Sequence, residues 1–534
     1  MLQGLVFHNT NLKRVESQEP IHLPPDSSVQ MENQDPFPFL LTFLFTVIVY
    51  VLWKKNRSSC NNMSKLPPGP WKFPLIGNLH LFIGTVAHHR VSDLAKKFGP
   101  IMHLQLGQVP YIVISSPEAA REVMKVNDLS LADRPQFHSA KFITYNFKDI
   151  AFSSYGDYWR QLKKICMLEL LSQRRVRSFR SIREEEIRSV VGDITSKAGS
   201  VINLREILFS SGLAIMSRAA FGGRCKHREE FKQLIPEIVT AFGGLSVADL
   251  FPSIKLFQMI LEMRPKFKKM HQKVDEILEN IIMEHRAEKA IERTGEAEPD
   301  DLVYVLLNLQ DNGELELPLT TTNIKAIILD VFTGGGESPS TIIEWAMSEM
   351  LKNPRIMEKA QAEVRHVFAS KGYVEEAGIH ELKYLSLVIK ETLRFHPSLP
   401  LLVPRESREP VKISGYEIPA KYRVIVNAWA IGRDPQCWPE AETFCPDRFL
   451  DCAIDYKGLN FEFTPFGTGR RMCPGISFSI ATIEITLANL LFHFDWKLPG
   501  GKTPEGLDMT EVFSNVAKRK DELCLVPIPY HPTP

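Results

Sequence analysis

The sequence has no cysteine framework. Its eight cysteines, Cys60, Cys166, Cys225, Cys437, Cys445, Cys452, Cys473 and Cys524, are scattered over 534 residues without a C-x-x-C pair. That distribution argues against a disulfide scaffold and against a structural zinc site. Neither sign of charge is in excess: 64 lysines and arginines face 63 acidic residues. There is therefore no electrostatic reason to expect nucleic acid or an acidic partner. A basic stretch at 172–188, SQRRVRSFRSIREEEIR, reads as a solvated helix face. Internal repeats, low-complexity segments and a G-x-G-x-x-G loop in a strand–turn–helix setting are all missing, which excludes solenoids and gives no flavin- or nicotinamide-binding unit within the chain. What is present is a hydrophobic fraction of 44%, enough for a large core.

One long uncharged run stands out, FPFLLTFLFTVIVYVLW at residues 37–53, followed at once by KKNR. A secretory signal has its basic residues before the apolar stretch and small residues after it; here the order is reversed. The run predicts a retained, single-pass transmembrane anchor, with Lys54, Lys55 and Arg57 placing the remainder of the chain in the cytosol. Residues 1–30 are mixed and polar without helical period, and Met31 opens a self-sufficient start, so 1–30 reads as an extension without defined structure. Residues 54–74 form a basic, proline-rich hinge. Pro67, Pro68, Pro70 and Pro74 fix φ and remove donors, which predicts a stiff extended tether. Residues 75–534 then read as one large domain. IIEWAMSEMLKN, RIMEKAQAEVRHVF and ELKYLSLVIKETLRFH carry helical period, whereas IMHLQLGQVPYIVIS and VKISGYEIPAKYRVIVN alternate like hairpin strands. The expected class is mainly α with a small β portion.

The chemistry concentrates in FTPFGTGRRMCPG, residues 463–475. Cys473 sits between glycines and directly before the apolar stretch ISFSIATIEITLANLLFHF. Free N–H groups and the helix dipole at such a position favour a thiolate, a good metal ligand. Glycines allow the backbone to approach a flat ligand, and Arg471 offers charge to an anion beside the metal. Phe466, Gly469, Arg471, Cys473 and Gly475 match F-x-x-G-x-R-x-C-x-G, and by this loop the chain resembles the cytochrome P450 monooxygenases from the anchor to the C-terminus. The resemblance implies a haem b whose iron takes Cys473 as axial ligand. It implies that Glu391 and Arg394 of ETLR join Arg448 of PDRF in a buried charge network supporting the haem loop. In YGDYWRQLKK it places Trp159 and Lys163 on a haem propionate, lysine standing where arginine is commoner, and it makes Arg405 of VPRES a further propionate donor.

The family's distal helix carries [AG]-G-x-[DE]-T-[ST], in which an acid and a threonine relay protons. The matching stretch here is FTGGGESPST, residues 332–341. Glu337 keeps the acid, but Ser338 replaces the threonine and Pro339 follows it. Lacking an N–H, Pro339 leaves the Gly335 carbonyl without its helical donor, which predicts a kinked or opened turn.

LPPGPWKFPLIGNL, FTPFGTGRRMCPGI and NAWAIGRDPQCWPEAETFCPDRF resemble the plant A-type enzymes, with particular similarity to sesquiterpene oxidases and lactone-forming enzymes of daisy-family plants. That implies a cytosol-facing enzyme of the endoplasmic reticulum membrane, electrons from NADPH–cytochrome P450 reductase, and an apolar substrate such as a sesquiterpene or sesquiterpene lactone. The altered distal turn suggests conversion of a germacranolide to a guaianolide by hydroxylation, water loss and cyclisation. Segments 137–152, 239–253, 397–404 and 512–519 are expected to line an apolar pocket. A reductase-independent isomerase or dehydratase of the same fold, a haem-binding carrier or gas sensor without turnover, and an oxidase of phenolic or diterpenoid substrates are the competing readings.

Overall fold

The computed structural model describes residues 66–222, 228–242, 246–255, 263–291, 301–313, 315–512 and 515–530, together with Phe43, Thr46 and Tyr50. The 1–30 extension, all but those three positions of the 37–53 anchor, and the first part of the hinge lie outside the described residues. Everything below belongs to the unit Asn61–Pro534.

Among the described residues, the helices that frame the site are α1 Ala87–Phe98, α2 Asp157–Ile165, α3 Arg180–Ser196, α4 Leu204–Phe221, α5 Met263–Ile291, α6 Leu302–Asn312, α7 Thr321–Lys352, α8 Pro354–Phe368, α9 Lys383–Phe395 and α10 Ile476–His493. Their ends follow ordinary capping chemistry. Thr320 and Asn323 form a reciprocal capping box at the start of α7, and Asp301 accepts from the Tyr304 N–H at the start of α6. Gly222, in the left-handed region, closes α4. The apolar α10 meets the length and hydropathy of a membrane span, but 72% of it is buried. It is a core helix, and it packs with α3, α7 and α8 around one large apolar cluster.

The β portion is small, as expected. β1 Ile101–Leu106 and β2 Val109–Ile114 form a hairpin turned by Gly107 and Gln108, with Gly107 at φ +61°. Strands β3 Ile202–Asn203, β4 Arg405–Glu406, β5 Val411–Ile413, β6 Tyr416–Ile418, β7 Arg423–Val426, β8 Phe494–Lys497 and β9 Cys524–Pro529 complete three sheets, ordered β1-β2-β7-β4, β3-β9-β8 and β5-β6. VKISGYEIPAKYRVIVN thus divides. β5 and β6 pair as a hairpin, while β7 leaves them to run parallel to β2, with Ile112 opposite Val424.

The described part of the hinge, expected as a stiff extended tether, does not stand clear of the domain: Pro68 accepts from the His103 N–H at 2.8 Å, and Asn78 Nδ2 donates to Trp71 at 2.8 Å. A Cβ on Gly69 would lie 2.0 Å from the His103 carbonyl, so the proline-rich strip is docked against β1. Nor does Pro339 open a turn, for α7 runs unbroken from Thr321 to Lys352. The turns around it are braced by hydroxyls that bond back to carbonyls four residues earlier, Ser340 to Gly336 at 2.9 Å and Thr341 to Glu337 at 3.1 Å. Close packing of α4 along this stretch outweighs the weak helix propensity of three glycines and a proline.

Candidate active site

The cysteine loop is held mainly by its own backbone. Cys473 N–H donates to the Phe466 carbonyl at 3.1 Å, and Met472 N–H closes a 3₁₀ turn onto Gly469 at 3.1 Å. Gly469 adopts φ +73°, and a Cβ there would meet the Met124 carbonyl at 2.2 Å, so conformation and space both require glycine. Phe466 packs partly buried on the main core, 5.5 Å from the Tyr456 ring. Gly475 is the N-cap of α10, and its N–H donates to the Cys473 sulfur. Burial pushes the Cys473 thiol up, while that N–H and the nearby Lys163 ammonium pull it down. Lys163, on α2, donates to the Met472 carbonyl at 2.6 Å and so grips the loop one residue before the sulfur.

Around the loop the fold collects positive charge. Arg134, Arg405 and Arg471 are all less than a tenth exposed. Arg471 donates to the carbonyls of Ala132, Ile150 and Ser153 at 2.7, 3.2 and 2.5 Å. Arg134 donates to those of Ala151, Val403 and Pro404 at 3.1, 2.5 and 2.8 Å. Among the described residues no carboxylate forms an ion pair with either. Arg405 pairs with Asp128 at 2.7 Å and donates to the Thr468 carbonyl at 2.9 Å. Burial, and then the repulsion of Arg405, lowers Arg471 to about 10; Arg134 is depressed by burial and by both other arginines. A buried excess of cation suits a ligand bearing carboxylates, since each added anion would offset repulsion already present. Together with a sulfur donor at a helix N-terminus, this is the donor set a haem with two propionates requires, and the residues fit that group.

Trp159 takes a different part from the one expected. Its indole N–H donates to the Ile150 carbonyl at 3.0 Å, and the Arg471 guanidinium lies 4.4 Å above its ring. In this arrangement it positions an arginine instead of offering its own donor. Asp149 and Asp330 also enter the site unforeseen. Asp330, on α7, accepts from the Ile150 and Ala151 N–H groups at 2.7 and 3.1 Å. Burial pushes Asp330 up to about 7 and raises Asp149 beside it. The two tie α7 to the segment whose Ile150 carbonyl holds Arg471 and Trp159. A lone acid inside the apolar run IKAIILDVF was the available signal.

Glu391, Arg394 and Arg448 do meet. Glu391 accepts from Arg394 Nε and Nη2 at 2.7 Å each, from Arg448 Nε at 3.0 Å and from the Cys445 N–H at 2.8 Å. Arg394 continues to the carbonyls of Gly432 and Ala441, and Arg448 to that of Pro439. The network pins residues 432–448, so any support it lends the cysteine loop is indirect.

On α7, Gly334 is exposed, and a Cβ added to it would have nothing within 4 Å; Ser338, one turn on, is half-buried on the same open face. Glu337 points elsewhere. It is 4% exposed, pairs with Lys518, and leaves Oε2 without a hydrogen-bond partner among the described residues. Two of the expected pocket segments meet this helix: Ser398 Oγ donates to the Ser338 carbonyl at 3.4 Å, and the Ala517 N–H to the Ser398 carbonyl at 3.0 Å. The other two contribute to a cavity of about 550 Å³ lined by Phe137, His138, Asn146, Tyr158, Asp249 and Arg423, more polar than expected.

A family model described as cytochrome P450 matches residues 67–524. The chain is 49% identical over 498 residues to premnaspirodiene oxygenase of Hyoscyamus muticus, covering 93% of this chain and 99% of that one. It is 49% identical over 500 residues to tabersonine 6,7-epoxidase isoform 2 of Catharanthus roseus, covering 92% and 96%. A zebra fish cytochrome P450 structure with abiraterone superposes with a TM-score of 0.71 at 23% identity, over 83% of this chain and 99% of that one. Sequence and fold agree over almost the whole described unit, and the chain belongs to the cytochrome P450 family as a monooxygenase.

Proposed function

We propose that this chain is a membrane-anchored monooxygenase of an apolar plant metabolite, a sesquiterpene or sesquiterpene lactone. The observation that carries the reading is the setting of Cys473, a sulfur at the N-terminus of α10 beside buried Arg134 and Arg471, neither of which forms an ion pair with a carboxylate among the described residues. When bound, haem supplies dioxygen activation on a cysteine thiolate, whose electron donation favours O–O cleavage. The chain's own residues do the rest. Arg134, Arg405, Arg471 and Lys163 would hold the propionates, and Trp159 would keep Arg471 in place. Ser338, on the open face of α7, would pass protons, with Glu337 supplying the acid and Lys518 setting its orientation.

Electrons would come from NADPH–cytochrome P450 reductase at the endoplasmic reticulum membrane. Trp71, Phe73, Leu75, Ile76 and Ile83, all exposed just after the anchor, support a membrane-facing start to the domain. Relatives of equal identity are named for different substrates, premnaspirodiene and tabersonine, so the substrate rests on the loop and hinge resemblance alone. The most specific form of the proposal is a kauniolide synthase activity, costunolide going to kauniolide through hydroxylation, water loss and cyclisation. Ser338 motivates it: the residue keeps a hydroxyl but loses the methyl that restricts threonine rotamers.

The test is expression with a plant reductase in yeast microsomes fed sesquiterpene acids and lactones. NADPH- and reductase-dependent oxidation of a lactone is expected; turnover without reductase would instead favour an isomerase. Replacing Ser338 and Pro339 together with Thr-Thr should shift the product ratio toward simple hydroxylation, and an unchanged spectrum would remove the role given to this turn.

A further inference from the structure

Away from the cysteine loop, a second set of chemically competent side chains converges from three elements. His88 and His89 lie in the first turn of α1, Glu511 begins a strap that runs to Arg519, and His396 follows α9. His88 Nε2 lies 2.6 Å and His89 Nε2 3.7 Å from Glu511 Oε2, and the three donor atoms fall within 4.8 Å of one another. His88 is 1% exposed, and Glu511 Oε2 meets its Nε2 and that of His89 as ion-pair contacts, with no hydrogen bond of regular geometry among the described residues. His396 Nδ1, likewise without a regular hydrogen bond among them, lies 3.9 Å from Glu511 Oε1, while its Nε2 lies 2.8 Å from Glu349. Buried polar atoms left unsatisfied in one place are costly and point to something that satisfies them.

We propose that His88, His89 and Glu511 form a binding site for a divalent cation of the zinc type, clamping α1 to the C-terminal strap. Two imidazole nitrogens and one carboxylate are a common donor set for such ions, with the remaining positions left to water. Bonds of about 2.0–2.1 Å place ligand atoms about 3.3 Å apart. The observed 2.6 and 3.7 Å lie on either side of that spacing, and all three donor atoms lie within 4.8 Å of one another, so adjustment of the side chains completes the shell.

The His89 side chain is 42% exposed and gives the ion a route from solvent, while His396, fixed by Glu349, faces the other Glu511 oxygen as an outer-shell partner. Occupancy reaches the active site by the strap. Glu511 bridges to Arg519, Val512 N–H donates to the Lys518 carbonyl at 3.0 Å, and Lys518 pairs with Glu337.

The haem-loaded full chain, without an affinity tag, would be titrated with Zn²⁺ against a chromophoric chelator, with thermal unfolding followed in parallel. One tight equivalent and a raised Tm are expected in the wild type. His89→Ala and Glu511→Gln should each weaken that equivalent tenfold or more while leaving the circular dichroism unchanged. Because His89 is partly exposed, His89→Ala keeps the test decisive should Glu511→Gln fail to fold. Absence of a saturable equivalent in the wild type, or its survival in His89→Ala, would overturn the proposal.

Discussion

At the scale of single residues, Gly469 and Gly475 separate sharply although both belong to the cysteine-loop motif. Gly469 combines φ +73° with a backbone oxygen 2.2 Å from any Cβ, whereas a Cβ on Gly475 would meet its nearest neighbour, the Cys473 sulfur, at an ordinary 3.9 Å. The left-handed conformation alone costs alanine about 1–2 kcal/mol, and the clash adds to it. Gly469→Ala is therefore expected to lose most of the thiolate-type band in the reduced carbon monoxide difference spectrum, and Gly475→Ala to keep it. Glu391 and Arg394 make a second residue-level case, being fully buried and mutually bonded. Arg394→Met removes two of the hydrogen bonds that Glu391 accepts and leaves Arg448 as its remaining cation, so it should cost about 1.5–3 kcal/mol, read as a fall in Tm and in folded yield. That pair was legible because i and i+3 share a helix face. Arg134 and Lys518 were not, since their partners Val403, Pro404 and Glu337 lie far along the chain and no local spacing announces them, and for Asp330 the lone acid in an apolar run was the one signal.

At the scale of elements, the three glycines of α7 do different things. Gly212 of α4 and Gly336 of α7 form a close crossing, in which a Cβ on Gly212 would lie 2.7 Å from the Gly336 carbonyl. Backbone does not yield easily, so Gly212→Ala should destabilise the protein by about 1–3 kcal/mol, the usual cost of overpacking. A Cβ on Gly335 meets only the terminal methyl of Met216, a flexible group that can rotate away, so Gly335→Ala should be milder. Gly334 faces open space. There alanine should gain up to about 1 kcal/mol of helix propensity while placing a methyl on the same face as Ser338. Raised Tm with altered product distribution is the expected result for Gly334→Ala, and measuring both on one preparation checks it. Helical period predicted that a helix belonged here; only the packing of α4 explains why glycines and a proline sit within it without breaking it.

At the scale of the whole molecule, the buried His103 and the half-buried Glu484 set opposing pH dependences. Burial, with Lys72 nearby, lowers His103 to about 4 from an ordinary 6.5. As pH falls below about 6.5, the unfolded chain takes up a proton that the fold refuses, so stability declines until pH approaches 4. At about 1.4 kcal/mol per unit, the loss totals about 3 kcal/mol. Glu484 is pushed up to about 7 by burial and by Glu376. Its contribution is complete below about 4.5 and is lost as pH rises through 7. Tm should thus fall toward both acid and mildly alkaline pH. His103→Gln should flatten the acid limb, and Glu484→Gln should raise Tm at pH 8 but not at pH 5; a Glu484→Gln profile parallel to the wild type would count against this account.

The sequence by itself determined the helical class, the glycine-flanked Cys473 ahead of an apolar helix, the i, i+3 placement of Glu391 and Arg394, and the presence of Ser338 and Pro339 in the glycine stretch, whereas the joining of Arg448 was implied only by the family resemblance. The features read directly depend on period, spacing and residue chemistry within short stretches. Tertiary structure alone decided that β7 leaves its neighbours to join β2, that the proline strip docks on β1, that α7 survives Pro339, and that Lys518 reaches Glu337. Each of these is a contact between segments distant in the chain, where packing and burial outweigh local propensity and no short-range pattern exists to be read.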